Sequence, residues 1–228
     1  MIERKMALLS QIIKEYIKTA NPIGSKILAH KGEFDVSSAT IRNEMAELEK
    51  EGYLIQPHTS AGRIPTALGY KFYLEIFKEG KLSSADHHSL KQVYKKYQTA
   101  GQEILIKELA KRIADLSHNT VVVAFSDNDV YYTGIANLFI QPEFQNPENV
   151  YNMSVIIDHL DKVMGDIFEE INNIEVKVGQ ENPFGEQCSA VLVNWGKRKK
   201  GIFGILGPMR MDYEKNLGLV RFVNQNIS

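Results

Sequence analysis

Three patterns along the chain predict an α+β protein, a winged helix-turn-helix domain followed by an α/β sheet domain. Apolar residues recur at three- and four-residue spacing from Ile2 to Lys50. Directly after them, two short extended segments flank a polar, glycine-containing tip at Pro57 to Gly62. From Thr120 onward the period becomes strand-like, with helical stretches before and after the strands.

The first helix is expected from Ile2 to Lys18, with Leu8, Leu9, Ile12, Ile13, Tyr16 and Ile17 on one face. It ends at Thr19-Ala20-Asn21-Pro22, because proline disfavours helix in the residue before it. Ser25 is placed as the cap of a short second helix running to about His30 and closed by Gly32. Ser37 or Ser38 caps a third helix whose inward stripe is Ile41, Met45 and Leu48. Gly52 stands where a left-handed residue ends it. Tyr53 to Gln56 reads as a strand, Arg63-Ile64 as the start of the return strand, and Thr66 as the cap of a fourth helix holding Tyr70, Phe72, Tyr73, Leu74 and Ile76. Lys78 to Ser84, short, polar and glycine-containing, marks a domain boundary.

Two helices follow, at about 85–97 and 103–117. Strands are expected at 121–125, from Val130 to Ala136, and at 174–178, 189–195 and 201–207. One amphipathic helix is expected from Val150 to Ile171 and a last one from Asp212 to Asn226. This order suggests a sheet with helices on one side. The divisions are residues 1–80 as a winged-helix DNA-binding domain, 81–119 as a helical linker or dimerisation segment, and 120–228 as a regulatory domain.

Composition is that of an ordinary globular chain, 43% hydrophobic and 24% charged. No run reaches the roughly 18 apolar residues a membrane helix needs, and the start lacks the features of a signal peptide. A lone Cys188 cannot form an internal disulfide, which suits a reducing, cytoplasmic compartment. The net charge of −1 excludes a broad basic footprint, although residues 1–119 are mildly basic and 120–228 mildly acidic. DNA binding would therefore rest on a few placed cations.

The third helix carries Ser37, Ser38, Thr40, Arg42, Asn43 and Glu44 around its apolar stripe. Arg suits guanine O6/N7 and Asn suits adenine N6/N7, while short hydroxyls suit phosphates. Alone, a capped helix with a solvated polar face is the commoner meaning of such a pattern. The hairpin tip offers His58, Thr59, Ser60, Gly62 and Arg63. Small residues let backbone approach phosphates, Gly62 permits an otherwise strained turn, and Arg63 is the natural minor-groove or phosphate contact. Lys14, Lys18, Ser25 and Lys26 are further phosphate candidates, with a solvated surface charge the simpler reading of each lysine. The run Lys197 to Lys200 reads as a solvated turn, and His87-His88 as a surface pair. The sequence offers no phosphate-cradling glycine loop, paired metal ligands or nucleophile–base motif, so no enzyme, metal or cofactor is expected.

Four strings carry a family resemblance: PIGSKIL at 22–28, VSSATIRNEMAELEKEGYL at 36–54, QPHTSAGRIPTALGYKFY at 56–73 and GILGPMRMDYEK at 204–215. They resemble the heat-inducible transcription repressor family HrcA. The resemblance implies a winged-helix domain and a GAF-like domain. It further implies repression of chaperone operons at an inverted-repeat operator, with a chaperonin as the partner that keeps the repressor active. It also implies a longer chain, with a dimerisation domain inserted in the GAF-like part; the residues after Asn119 leave little room for one. With the hairpin and the resemblance beside it, the polar face of the third helix reads as a base-reading surface. The expected protein is a homodimeric repressor, with the helices at 85–117 as candidates for pairing subunits. The alternative is a metabolite-sensing winged-helix regulator with an effector pocket in the GAF-like domain.

Overall fold

The computed structural model describes residues 2–31, 34–76, 80–196 and 201–227. Gly32, Lys78 and the run Lys197 to Lys200 lie outside the described residues. The chain divides into two compact units, residues 1–78 and 79–228.

The first unit holds α1 (Ile2–Thr19), α2 (Ser25–His30), α3 (Ser38–Lys50), a hairpin of β1 (Leu54–Ile55) and β2 (Ile64–Pro65), and α4 (Ala67–Ile76). Its core is the predicted stripe of α1, Leu8, Leu9, Ile12 and Ile13, closed by Leu28, Ile41, Met45, Leu48, Tyr70 and Tyr73. Ser37 caps α3: its hydroxyl accepts the Thr40 amide at 3.2 Å. Gly52 has φ +83° and turns the chain out of α3 into β1, which pairs antiparallel with β2 in the register Leu54↔Pro65 and Ile55↔Ile64. Thr66 caps α4 through the Gly69 amide at 3.1 Å. Ser25 does not cap α2. Gly24 holds the cap position without a side-chain bond, and Ser25 is the buried first residue of the helix.

The second unit opens with α5 (Ser84–Tyr97) and α6 (Gln102–Ser117). Its sheet contains β3 (Thr120–Ala124), β4 (Val130–Thr133), β5 (Glu175–Val178), β6 (Cys188–Trp195) and β7 (Gly201–Pro208). The spatial order is β4-β3-β7-β6-β5, antiparallel throughout. Between β4 and β5 lie α7 (Ile135–Phe139), α8 (Pro147–Asp158) and α9 (Leu160–Ile167); α10 (Tyr213–Ile227) follows β7.

Helices cover both sheet faces, not one as expected. Strand side chains alternate, so Val122, Ala124, Ala190, Leu192, Ile202 and Leu206 share one face, against Leu138, Met153, Leu160, Met164 and Ile167 of α7–α9. The opposite set, Val121, Val123, Val191, Val193, Phe203 and Ile205, is equally buried, and on this side α6 and α10 pack. Double cover explains why β3 and β7 read as unbroken apolar runs.

Two other expectations fail locally. The helix predicted over 150–171 breaks at His159, whose φ and ψ are −117° and 27°. The apolar repeat runs through the break from Met153 to Leu160 and Met164, so periodicity carries no mark of it. The strand expected through Ala136 stops at Thr133, because Gly134 adopts φ +76° and starts α7. Asp212 caps α10 through the Lys215 amide at 3.0 Å. Beside it the Tyr213 hydroxyl meets Ser189 at 2.7 Å and donates to the Met209 carbonyl at 2.6 Å. Cys188 is fully buried, which pushes its thiol up to about 12.

Candidate nucleic-acid interface

The hairpin stands where it does because its root is tied to two other elements. Arg63 and Ile23 exchange backbone hydrogen bonds, each 2.9 Å, joining the return strand to the loop before α2. Gly62 makes this approach possible: a Cβ there would lie 2.4 Å from the Ile23 carbonyl carbon and oxygen. This corrects the reading of Gly62 as a residue needed for an unusual turn. Its φ is not in the left-handed region, and it is the missing side chain that matters. Gln56 ties the tip internally, donating through Nε2 to the carbonyls of Thr59 (3.1 Å) and Ala61 (2.9 Å).

Arg63 also differs from expectation. The sequence suggests it as a minor-groove or phosphate contact at the tip; its side chain is 13% exposed and its Nε donates to Glu49 of α3 at 2.9 Å. The other Glu49 oxygen accepts the Gln56 amide at 3.2 Å. Arg63 and Glu49 thus brace the hairpin against α3.

A cleft of about 440 Å³ opens between the start of α2, the outer side of α3 and the hairpin tip. Ser25 and Lys26 line it from α2, Arg42 from α3, and Thr59, Ser60, Gly62 and Arg63 from the hairpin. Ser37, Ser38, Thr40, Asn43 and His58 do not line it, nor do Lys14 and Lys18. The Ser37 and Thr40 hydroxyls are 3.0 Å apart at the start of α3. Asn43 is exposed beside Arg42. Lys18 stands 3.9 Å from Glu15. Gln56 lines the cleft and, like Glu49, was not foreseen as a site residue; the signal for Gln56 was its position at the last strand residue before the tip.

The charge of this surface follows from which carboxylates are engaged. Glu44, expected among the polar face residues, is 7% exposed and takes Arg4 Nε at 2.8 Å. Glu47 pairs with Lys5, a hydrogen bond that holds the ammonium above and the carboxylate below their usual ranges. Glu49 holds Arg63. Each carboxylate of α3 therefore meets a cation from another element. Lys26 and Arg42, both exposed, have no ion pair or hydrogen bond among the described residues. The cleft keeps two uncommitted cations, an Arg and a Lys, beside hydroxyls and a backbone-lined tip. That combination suits phosphate and base edges.

Comparison with known proteins places the chain. Residues 76–217 match the model of the HrcA protein C-terminal domain, well over half of the sequence. The chain belongs to the HrcA family. Among similar relatives, the heat-inducible transcription repressor HrcA of Carboxydothermus hydrogenoformans is 27% identical over 99% of this chain and 97% of its own length. That of Desulforamulus reducens is 26% identical over 100% and 96%. The first alignment spans 333 positions against 228 residues here, so long stretches of that HrcA protein face no residue of this chain. A crystal structure of a protein described as hypothetical shares the fold, with a TM-score of 0.82 over 97% of this chain and 96% of that one at 19% identity. Relatives named as transcription repressors place this HrcA-family chain among regulators, and no described helix is long and apolar enough to cross a membrane.

Proposed function

We propose that this heat-shock transcription repressor acts through residues 1–78 as a winged-helix DNA-binding domain, with β1–β2 as the wing. The observation that carries the reading is the cleft between α2, α3 and the wing, with Lys26 and Arg42 uncommitted at its wall. A helix of the length of α3 fits a major groove, and the wing tip fits the adjoining backbone. Arg42 and Asn43 read bases, Ser25, Lys26, Ser37, Ser38 and Thr40 hold phosphates, and His58, Thr59, Ser60 and Gly62 approach the backbone from the wing. Arg63 serves the same surface as a brace.

Two copies related by a two-fold axis occupy an inverted-repeat operator in front of chaperone genes, and repression is by occupancy. The second unit is a GAF-like regulatory domain, preceded by the linking helices α5 and α6. Heat depletes the DNA-competent form because folded states are separated from unfolded ones by small free energies. A cytoplasmic chaperonin that restores the pool would then report its own availability. Footprinting on chaperone-operon promoters at physiological salt tests the assignment, and the expected result is a protected palindrome. Operator binding that survives heating in full, with no effect of chaperonin on its recovery, refutes the regulatory part.

A second cleft, about 420 Å³, favours the metabolite-sensing alternative. It lies in the second unit, lined by Phe144, Met153 and Phe184 with Asn152 and Glu186 at its edge. A small-molecule effector bound there would raise the melting temperature of this unit and shift DNA affinity.

A further inference from the structure

The cleft of the second unit has a floor and a rim of opposite character. The floor is apolar: Phe144, Met153 and Phe184 are buried, with Ile156 half-buried beside them. Its volume of about 420 Å³ is that of a small-molecule site. One wall is the loop before β6, and the buried Asn182 holds that loop in shape. Its Oδ1 accepts the Phe184 amide at 3.3 Å, and its Nδ2 donates to the Gly185 carbonyl at 3.4 Å. Gly185 has φ +103°, and a Cβ there would stand 3.3 Å from Ile156 of α8, the opposite wall. The cleft is therefore built in advance of any occupant.

The rim is polar and negative. Glu148 and Asn152 stand on it from α8, Glu186 and Gln187 from the loop, all exposed. None of these four side chains has a partner among the described residues. No Lys or Arg lines the cleft. Arg210 is committed to Glu143 at 3.2 Å and to Gln141 at 2.7 Å. Residues 120–196 carry 12 Asp+Glu against two lysines, so this stretch imposes a negative potential. Glu148 lies in the first turn of α8 and offsets the positive end of the helix dipole, which would otherwise recruit an anion. Tyr151 follows Glu148 by three residues and Val155 follows Tyr151 by four, so both stand beside it on the helix surface. They are 69% and 40% exposed and extend the apolar surface past the rim.

We propose that this cleft takes a small organic cation, a protonated amine on an apolar body. The proposal deepens the effector reading of the same cleft and rests on it. The body lies on Phe144, Met153 and Phe184, and the ammonium meets Glu186 and Glu148 at the rim. Burial of the body supplies the affinity. The charge selects, and it does so cheaply, because both carboxylates and the ammonium keep contact with water. Other occupants fit less well. An anion would meet two unpaired carboxylates and no cation. A neutral molecule would fill the floor and gain nothing from the rim. A bare metal ion would find no group of three or more His, Cys, Asp or Glu able to hold it among the described residues, and the floor offers it no oxygen.

Three probes that share one body separate charge from shape: 2-phenylethylamine, 2-phenylethanol and 3-phenylpropionate. Each is titrated into the full chain at neutral pH, and binding is read by amide NMR at Asn152, Gly185 and Gln187. The amine is expected to bind with a Kd of about 1 mM, and the propionate about tenfold more weakly. Glu148→Gln and Glu186→Gln alter exposed side chains and leave the floor intact. Each is expected to weaken the amine about two- to fivefold and to leave the alcohol unchanged. Equal binding of all three probes, or tighter binding of the propionate, would overturn the proposal and keep the cleft as an effector site. Amine binding indifferent to both glutamine variants would overturn it as well. Silence of these amides to every probe would sink the effector reading together with it. The expected pattern, with operator affinity in a mobility shift unchanged at saturating amine, would leave the ligand class standing and sink the effector role.

Discussion

Arg63 offers the sharpest test of how this surface works, because a brace and a phosphate contact fail differently. Arg63→Ala removes the 2.9 Å bond to Glu49 and leaves that carboxylate with the Gln56 amide alone. A hydrogen bond to a charged group contributes about 1.5–3 kcal/mol. This pair is partly open to water, with side chains 13% and 32% exposed, so the lower end applies, roughly 1–1.5 kcal/mol. That is close to tenfold in the population of the bound wing pose, and DNA affinity should fall by about that factor. The salt dependence separates the two roles. A lost phosphate contact reduces the slope of log K against log salt by about 0.9. A lost brace leaves the slope unchanged. Fluorescence anisotropy with a promoter duplex, titrated across salt, measures both quantities. Glu49→Gln should reproduce the affinity loss, and the double variant should cost little more than either single one. A slope reduced by one unit in Arg63→Ala, with Glu49→Gln unaffected, would refute the brace.

Other outcomes follow from the same geometry. Arg42→Ala should relax specificity by about 1–3 kcal/mol at one base pair, whereas Lys26→Ala should weaken all sequences alike and lower the salt slope by about one; both are read by comparing promoter and random duplexes. Gly62→Ala should push the return strand off Ile23, where a Cβ has 2.4 Å, at a cost of about 1–3 kcal/mol for two backbone bonds. Hydrogen exchange at the Arg63 and Ile23 amides should then accelerate while α6 and β7 stay protected. Cys188 is held protonated to about 12 against 9.0 for the free group. Its contribution to stability is complete below pH 9 and drains away as pH rises toward 12. Thiol reagents should be slow at pH 8, and the second unit should unfold on alkaline titration; rapid modification of folded protein at pH 8 contradicts this.

Much of the fold was legible because it depends on short-range chemistry. The stripe Leu8, Leu9, Ile12 and Ile13, the Ser37 cap and Gly52 at φ +83° all act within a few residues of themselves. What escaped was set by partners distant in sequence. Ser25 is adjacent to the cap position, yet Gly24 fills it, directly after Ile23, whose backbone pairs with Arg63. The double cover of the sheet left no trace in β6 beyond a run of apolar residues that one buried face also tolerates. The break at His159 left none at all. Residue types singled out Lys26, Arg42, Thr59, Ser60 and Gly62, which line the cleft, but gave no sign that Glu49 would take Arg63, a pairing across 14 positions.

The charge paradox of this chain dissolves at the same level. A net charge of −1 and nearly equal acids and bases in the first unit argue against DNA when charges are merely counted. Counting assumes that each charge faces solvent independently. Here α1 sends Arg4 and Lys5 toward Glu44 and Glu47, and the wing root sends Arg63 to Glu49. Three acids of α3 are thus neutralised by cations of other elements. Among the described residues of this unit, Lys26 and Arg42 are the unpaired cations that line the cleft, while Lys14 and Lys50, also without an ion pair, stand away from it. On the proposed reading such a surface would attract DNA through placement, with low non-specific affinity and discrimination resting on the few contacts that reach base edges. In the proposed mechanism, in which heat depletes the operator-bound form, a small electrostatic contribution is an advantage: release would require only the loss of wing or helix geometry, not the displacement of a heavily charged protein from a polyanion.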